Sequence, residues 1–244
     1  MVRHRPRPHT GPLPETLVQP VAASDEQRRL TAMACSLLLR YPGPDFVELL
    51  HAVEKQLSEL PLAIAGELAA FTDAARSLGR LHAEEHYVET FDQRRRCSLH
   101  LSYYAVGDTR QRGAAILAFR QQLAALGVEE LSDELPDHLC VVLEALALAD
   151  TSVTDNAVAM VASHRDGIEV LRRALTDLSS PYAHVITALC MSLPEMAPET
   201  AQSYINLIRQ GPPAELVGIE TQPLPFPTAV PEHSPRTQLG LKEP

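Results

Sequence analysis

Tryptophan is absent from this chain of 244 residues, and aromatic residues make up only 5 % of it. The core must therefore consist mainly of leucine, alanine and valine. Apolar alternation with β-branched residues is also missing, as are the residue pairs typical of hairpin turns. These absences argue against a sheet protein, and the length suits one domain with a substantial core.

An excess of positive charge is also lacking. The net charge is −10 and the sequence pI is about 5.4, so the chain has no overall basic footprint for nucleic acid. The N-terminal cluster of Arg3, Arg5 and Arg7 lies among prolines and predicts a disordered tail. We expect no nucleic-acid partner.

Long apolar runs and closely spaced cysteines are missing as well. No run is long enough to span a bilayer, and the first residues lack the apolar core of a signal peptide. No C-x-x-C pair occurs, and each cysteine lies among apolar residues, where a free thiol behaves as a small hydrophobe. We therefore predict a soluble cytoplasmic protein with reduced thiols and no bound metal. The four cysteines are Cys35, Cys97, Cys140 and Cys190.

Helical periodicity predicts an all-α fold, a single-domain bundle of about eight to ten helices over residues 24–211. Ser24 is a suitable N-cap for the first helix, and Pro136 is expected to open a helix that is apolar nearly all round. Proline-rich tails, predicted to be disordered, cover residues 1–23 and 212–244.

A run of arginines interrupts the helical pattern. We predict one helix over roughly 82–106, in which Arg94 and Arg95 fall between apolar residues on the same faces. A buried arginine is costly unless it is paired. Either carboxylates satisfy the arginines, or the segment lines a groove that receives a ligand. The candidate carboxylates are Glu89, Asp92 and Asp108.

Catalytic motifs are few. His82-Ala-Glu-Glu-His86 matches H-x-x-E-H, in which two histidines would bind zinc and Glu85 would act as the base. A third ligand is not identifiable, and a solvated helix turn explains the pattern as well. A zinc hydrolase using His82, Glu85 and His86 therefore stays an alternative. No nucleophile elbow, phosphate loop or dinucleotide fingerprint occurs.

Two further sites have a structural and a functional interpretation. Asp137 and His138 could act in acid–base chemistry, but no nucleophile is identifiable beside them, and Asp137 also suits a helix start. The aromatics at positions 87, 91, 103 and 104 are spaced like core residues, yet tyrosines also suit the wall of a peptide groove. The interspersed acids would complement a basic peptide.

Two motifs carry a family resemblance. The pattern Tyr87-Val-Glu-Thr-Phe-Asp-x-Arg-Arg, continuing through Tyr103-Tyr104 to Gly107-Asp-Thr-Arg, resembles the signature of the nitrate reductase delta-subunit family, NarJ. Glu134-Leu-Pro-Asp-His-Leu139 resembles the Pro-Asp-His motif of the wider TorD/DmsD group of redox-enzyme maturation chaperones. The resemblance covers roughly residues 25–210.

The resemblance implies an all-helical cytoplasmic chaperone that is not part of the final enzyme. Its partner would be the apo catalytic (alpha) subunit of a respiratory nitrate reductase, including the N-terminal peptide of that subunit. The chaperone would keep the subunit competent for molybdenum cofactor insertion without binding a cofactor stably itself. Cofactor-insertion proteins are candidate further partners, and another molybdoenzyme is the alternative client.

The resemblance also names residues for a client-binding groove or its support. Asp137 and His138 fall on the Pro-Asp-His motif, associated with the hinge and client binding. The resemblance implies an aromatic residue at the position of His100 and often a threonine at that of Ser102. We expect these two differences to affect which peptide the groove prefers locally. We expect Phe91→Ala or Asp137→Ala to weaken client binding more than folding. The remaining candidates are Tyr87, Phe91, Asp92, Arg94, Arg95, Tyr103, Tyr104 and Asp108.

Overall fold

The computed structural model describes residues 17–107, 109–128 and 134–195. Over these ranges the regular elements are helices, which confirms the predicted all-α class. The helices are α1 (Asp25–Leu38), α2 (Phe46–Glu54), α3 (Leu62–Tyr87), α4 (Leu101–Val106), α5 (Arg112–Ala125), α6 (Leu139–Leu148), α7 (Thr154–Ser163), α8 (Arg165–Asp177) and α9 (Tyr182–Ser192).

Local chemistry determines where α1 begins. The Ser24 hydroxyl accepts a hydrogen bond from the Gln27 N–H (3.1 Å), and the Gln27 side chain accepts one from the Ser24 N–H (3.0 Å). This capping box satisfies two donors that a helix start otherwise leaves unpaired. The predicted start of the first helix is therefore confirmed.

Helix α1 packs against α6 on one side and α9 on the other. The Arg29 Nε donates to the Ala147 carbonyl (3.0 Å), and the Ser36 hydroxyl donates to the Cys140 carbonyl (2.9 Å). Because residue numbers rise along α1 as they fall along α6, the two helices run antiparallel. Most of α6 is buried, as its apolar sequence predicted. The four cysteines are free and buried, in agreement with their interpretation as small hydrophobes.

The single helix predicted over 82–106 is wrong. Helix α3 ends at Tyr87 and continues as a wider π-helical turn, Val88–Asp92. Arg94 then has extended backbone angles, and α4 begins only at Leu101. The break leaves Arg94 and Arg95 exposed to water, so the cost of burying two guanidinium groups does not arise.

The helical backbone is also interrupted at two other positions. Gly79 adopts φ 71° and ψ 164°, a conformation that favours glycine, and separates two helical stretches within α3. His164 lies between α7 and α8.

Residues 17–23 were predicted to belong to a disordered tail, but hydrogen bonds connect them to the bundle. The Val18 N–H donates to the buried carboxylate of Glu169 (2.9 Å), and Arg165 donates to the Val18 carbonyl. The Val21 N–H donates to the Met191 carbonyl (2.8 Å). Residues 1–16, the end of the predicted helical domain from residue 196 and the predicted C-terminal tail lie outside the described residues.

Candidate functional site

A groove of about 780 Å³ opens beside the C-terminal end of α1, along α6 and the residues that precede it. Its apolar wall includes Tyr41 and Leu148, which are 52 % and 60 % exposed. Three carboxylates, of Asp92, Glu134 and Glu144, share the lining with one arginine, Arg40. The groove therefore offers apolar surface to a ligand within an acidic surround.

Tyr87 forms part of the groove wall, and contacts on its buried side keep its side chain in position. Its hydroxyl donates to the Leu39 carbonyl (3.2 Å), and its ring meets Tyr41 edge-on at 5.4 Å. Burial raises the pKa of Tyr87 well above its ordinary value, so the hydroxyl stays protonated and remains a donor. The π-helical turn after α3 then places Asp92 at the same groove.

Phe91 lies beneath this wall. Its ring packs 4.8 Å from that of Tyr87 and 4.8 Å from that of Tyr182 on α9. The side chain is buried, and the residues that line the groove do not include it. Phe91 therefore holds Tyr87 in position, and its contact with a ligand would require movement of the wall.

Asp137 is fully buried and forms the centre of a hydrogen-bond network. The Ser102 hydroxyl donates to Asp137 Oδ2, and His100 Nδ1 lies 3.3 Å from Oδ1. Burial raises the pKa of Asp137, but the hydrogen bonds from His100 and Ser102 outweigh burial, and its pKa is lowered overall. His100 and Ser102, the two positions at which the resemblance implies a departure from the more usual residues, are thus hydrogen-bond partners of Asp137.

Backbone hydrogen bonds support the same junction. The Leu101 N–H donates to the Asp137 carbonyl (2.9 Å), and the Leu139 N–H donates to the Leu99 carbonyl (2.7 Å). These bonds tie the residues before α4 to the residues before α6, although the two segments lie almost 40 positions apart in the chain. Asp137 consequently sets the geometry of one groove edge from within the protein.

His138 caps α6 and faces the groove. Its Nδ1 accepts a hydrogen bond from the Cys140 N–H (3.3 Å), and its ring lies 5.2 Å from that of His100. Burial, followed by the charge of His100, lowers the pKa of His138, so the ring is neutral near pH 7 and can accept this bond.

The other predicted residues lie away from the groove lining. The Tyr104 hydroxyl is buried with the Ser98 and Arg96 carbonyls at 2.8 and 3.1 Å, and Tyr103 packs against the Tyr104 ring. Arg94 and Arg95 are exposed beyond the π-helical turn. Asp108 lies outside the described residues.

Sequence reasoning missed several lining residues, of which Tyr41, Glu134 and Glu144 are the most informative. Glu144 was detectable, because it is the only charged residue within the otherwise apolar α6. Tyr41 lies three positions after the last residue of α1, but nothing local predicts that it faces Tyr87.

The H-x-x-E-H match does not assemble a zinc site in the described part of the chain. His86 Nε2 lies 2.8 Å from the Ser180 hydroxyl, and its ring stacks on Tyr182 at 5.9 Å. His82 is exposed on α3. Among the described residues, no three histidine, cysteine, aspartate or glutamate side chains converge as metal ligands. No described helix has the length and apolarity needed to cross a membrane.

Comparison with known proteins identifies similar sequences. The family described as "Nitrate reductase delta subunit" matches residues 56–188, more than half of the chain. The "Nitrate reductase-like protein NarX" of Mycobacterium tuberculosis (strain ATCC 25618 / H37Rv) is 36 % identical over 155 residues, which cover 64 % of this chain and 23 % of that protein.

Two further relatives carry chaperone names. The "Probable nitrate reductase molybdenum cofactor assembly chaperone NarJ" of Bacillus subtilis (strain 168) is 27 % identical over 68 % of this chain and 89 % of its own length. The "Nitrate reductase molybdenum cofactor assembly chaperone NarJ" of Escherichia coli (strain K12) is 34 % identical over 46 % of this chain. That match spans 49 % of the Escherichia coli protein.

Proposed function

The chain belongs to the nitrate reductase delta-subunit family, and we propose that it is a system-specific chaperone for a respiratory nitrate reductase. It binds the apo catalytic subunit, including the N-terminal peptide of that subunit, and keeps it competent for molybdenum cofactor insertion. The chaperone acts in the cytoplasm, holds no cofactor stably and is absent from the final enzyme. Two relatives named as molybdenum cofactor assembly chaperones support this proposal.

The observation that carries the proposal is the combination of exposed apolar side chains and carboxylates in one groove. Tyr41 and Leu148 remain largely exposed beside Asp92 and Glu144. A client helix that buries apolar anchors here gains about 25 cal/mol for each Å² removed from water. Basic residues of the same helix would meet the carboxylates, which favours correct orientation and fast association.

We infer that the predicted site residues have two roles, contact with the client and support of the groove. We assign client contact to Tyr87, Asp92 and His138, because they line the groove. We assign support to Phe91 and Asp137, because both are buried beneath it. Binding would then stabilise an assembly-competent apo state by mass action.

The test is calorimetric titration with a synthetic peptide that matches the N-terminus of the catalytic subunit from the same source. We expect saturable one-to-one binding to the wild-type protein. Glu144→Lys should weaken binding at least tenfold, because it reverses a groove charge. Glu48→Lys makes the same charge change on the exposed face of α2, away from the groove, and is the matched control.

Equal affinities for Glu144→Lys and Glu48→Lys would contradict the groove assignment. Absence of binding by the folded wild-type protein would contradict the proposed peptide interaction itself. Circular dichroism of each variant establishes that the folded fractions match before the affinities are compared.

A further inference from the structure

A buried carboxylate on α8 accepts a hydrogen bond from the segment that precedes α1. Glu169 is fully buried, and its Oε1 accepts from the Val18 N–H at 2.9 Å. Arg165, one helical turn earlier on α8, donates to the carbonyl of the same residue, Val18. One carboxylate and one guanidinium group therefore hold both main-chain polar groups of a single residue. Neither side chain lines the groove described above.

The two side chains are also fixed by contacts that do not involve the segment before α1. Glu169 Oε2 accepts a hydrogen bond from Arg172 Nε at 2.6 Å, and Arg165 Nη1 donates to the Leu193 carbonyl at 3.1 Å. Arg165 Nη2 lies 3.8 Å from Glu169 Oε1, so the buried charge stays compensated when Val18 is withdrawn. The pair is therefore preorganised, and a new occupant would meet a donor and an acceptor already in place.

The occupant is held by its main chain. The segment has no regular secondary structure, and the bonds at Val18 reach only its N–H and C=O groups. A third bond joins the Val21 N–H to the Met191 carbonyl on α9 at 2.8 Å. Val18 and Val21 are partly buried, whereas the neighbouring Gln19 and Ala22 are exposed. The site therefore suits a non-helical segment that has free N–H groups and small apolar side chains, whatever its remaining sequence.

The segment that fills the site is attached weakly. Its described part forms these three hydrogen bonds with the helices, and each contributes modestly because water forms similar bonds with a free chain. Its covalent link to α1 gives it an effective concentration on the order of mM, which keeps the site filled. A segment of a partner that is already bound elsewhere on the protein has a comparable advantage and competes with it.

We propose that Glu169 and Arg165 form a second polypeptide-binding site, which residues 17–23 fill in cis and which a non-helical segment of the apo client fills in exchange. The identity of this client rests on the proposed function, because the client of a chaperone has segments that are not yet folded. Recognition through the main chain suits such segments, since it depends little on their sequence. Residues 17–23 act as an internal competitor that limits binding of unrelated chains.

The experiment uses the full chain and a fluorescein-labelled peptide with the sequence Leu17–Ser24. Val18→Pro combined with Val21→Pro removes both N–H donors of the cis segment. Anisotropy titration should show that the peptide binds this double variant at least tenfold more tightly than the wild type, whose own segment competes. Ala22→Pro is the matched control and should bind as the wild type does, because the Ala22 N–H forms no hydrogen bond within the described residues.

Two further changes test the assigned contacts. A peptide in which proline replaces Val18 lacks the N–H that Glu169 accepts, and its affinity should be at least tenfold lower. Arg165→Lys, added to the double variant, keeps the charge but loses the fork that reaches both the Val18 and the Leu193 carbonyls. It should weaken binding of the unmodified peptide at least fivefold, whereas Glu144→Lys in the groove should leave it unchanged. Circular dichroism establishes that each variant is folded.

Unlabelled ten-residue segments of the catalytic subunit, taken from beyond its N-terminal peptide, then compete for the double variant. Displacement of the labelled peptide by apolar segments supports the exchange, and displacement by none of them overturns it. If the labelled peptide binds the double variant no better than it binds Ala22→Pro, the site itself is refuted. Failure of the proposed function is a separate result, because it is measured by titration of the wild type with the N-terminal peptide of the catalytic subunit.

Discussion

The close approach of α4 and α8 yields the sharpest prediction from packing alone. A methyl group at Gly167 in α8 would lie 2.6 Å from the Cβ of Tyr104 and 3.0 Å from its Cγ. Tyr104 is buried and its hydroxyl is hydrogen-bonded to backbone, so the ring cannot swing away without losing these bonds. We expect Gly167→Ala to push the two helices apart.

The magnitude follows from two opposing terms. Replacing glycine by alanine inside a helix stabilises it by about 1 kcal/mol. Overpacking a core costs roughly 1–3 kcal/mol, and a Cβ–Cβ distance of 2.6 Å places Gly167→Ala near the upper limit. The expected net loss is about 2 kcal/mol, equivalent to a fall in Tm of roughly 4–8 °C for a domain of this size.

Gly66→Ala is the matched control. Gly66 lies in α3, and a Cβ there would meet nothing within 4 Å. The free energy of unfolding should rise by about 0.5–1 kcal/mol, because only the propensity term applies. Urea denaturation followed by circular dichroism measures both variants.

Equal stabilisation by Gly167→Ala and Gly66→Ala would refute the contact between α4 and α8. A second substitution sharpens the test. Tyr104→Ala keeps the Cβ that causes the clash, so it should not rescue Gly167→Ala. Rescue by Tyr104→Ala would show that the ring, and not the backbone approach, limits the space.

Three further predictions concern buried polar groups. Burial lowers the pKa of His164 to about 4. The free energy of unfolding should keep its full contribution from His164 above about pH 6.5. It should then fall by about 1.4 kcal/mol per pH unit toward the folded-state pKa, because only the unfolded chain takes up the proton. Urea midpoints should therefore fall more steeply with acid than in His164→Gln, and parallel curves would contradict this. Asp137→Ala removes the acceptor for the Ser102 hydroxyl and should lower the free energy of unfolding by roughly 3 kcal/mol. Peptide affinity should be unchanged when the variant and the wild type are compared at the same folded fraction. A selective loss of affinity would instead show that Asp137 contacts the peptide. Glu169→Ala removes the acceptor for the Val18 N–H and should speed proteolysis within residues 17–23, and unchanged cleavage would exclude a role for this bond.

The structure changes what is expected of two predicted site residues. Phe91→Ala and Asp137→Ala were expected to affect binding more than folding, yet both side chains are buried beneath the groove. Large-to-small substitution of a buried phenylalanine typically costs about 3–5 kcal/mol. Both variants should therefore act first on folding, whereas substitution of Glu144, which is exposed in the groove, should act on binding.

Residue patterns could predict those parts of the fold that depend on near neighbours. An N-cap depends on residues within one turn, so Ser24 could be predicted to begin the first helix, and the structure confirms this start. Gly79 interrupts α3 because its positive φ suits glycine, again a local property. The segment that carries Arg94 and Arg95 was wrongly predicted as part of one continuous helix. Helical periodicity identifies residues that share a face only where the helix is continuous, and here the helix breaks before Arg94.

By itself, the sequence determined the all-α class, the burial of the cysteines and the family, since these follow from composition, periodicity and a long motif. Tertiary structure decided which motif residues reach the surface. Tyr41 and Tyr87 lie 46 positions apart, and Asp137 meets Ser102 across 35, so only the packing of α1, α3, α4 and α6 brings them together. Contacts over such separations depend on helix register and crossing, and no local pattern records either.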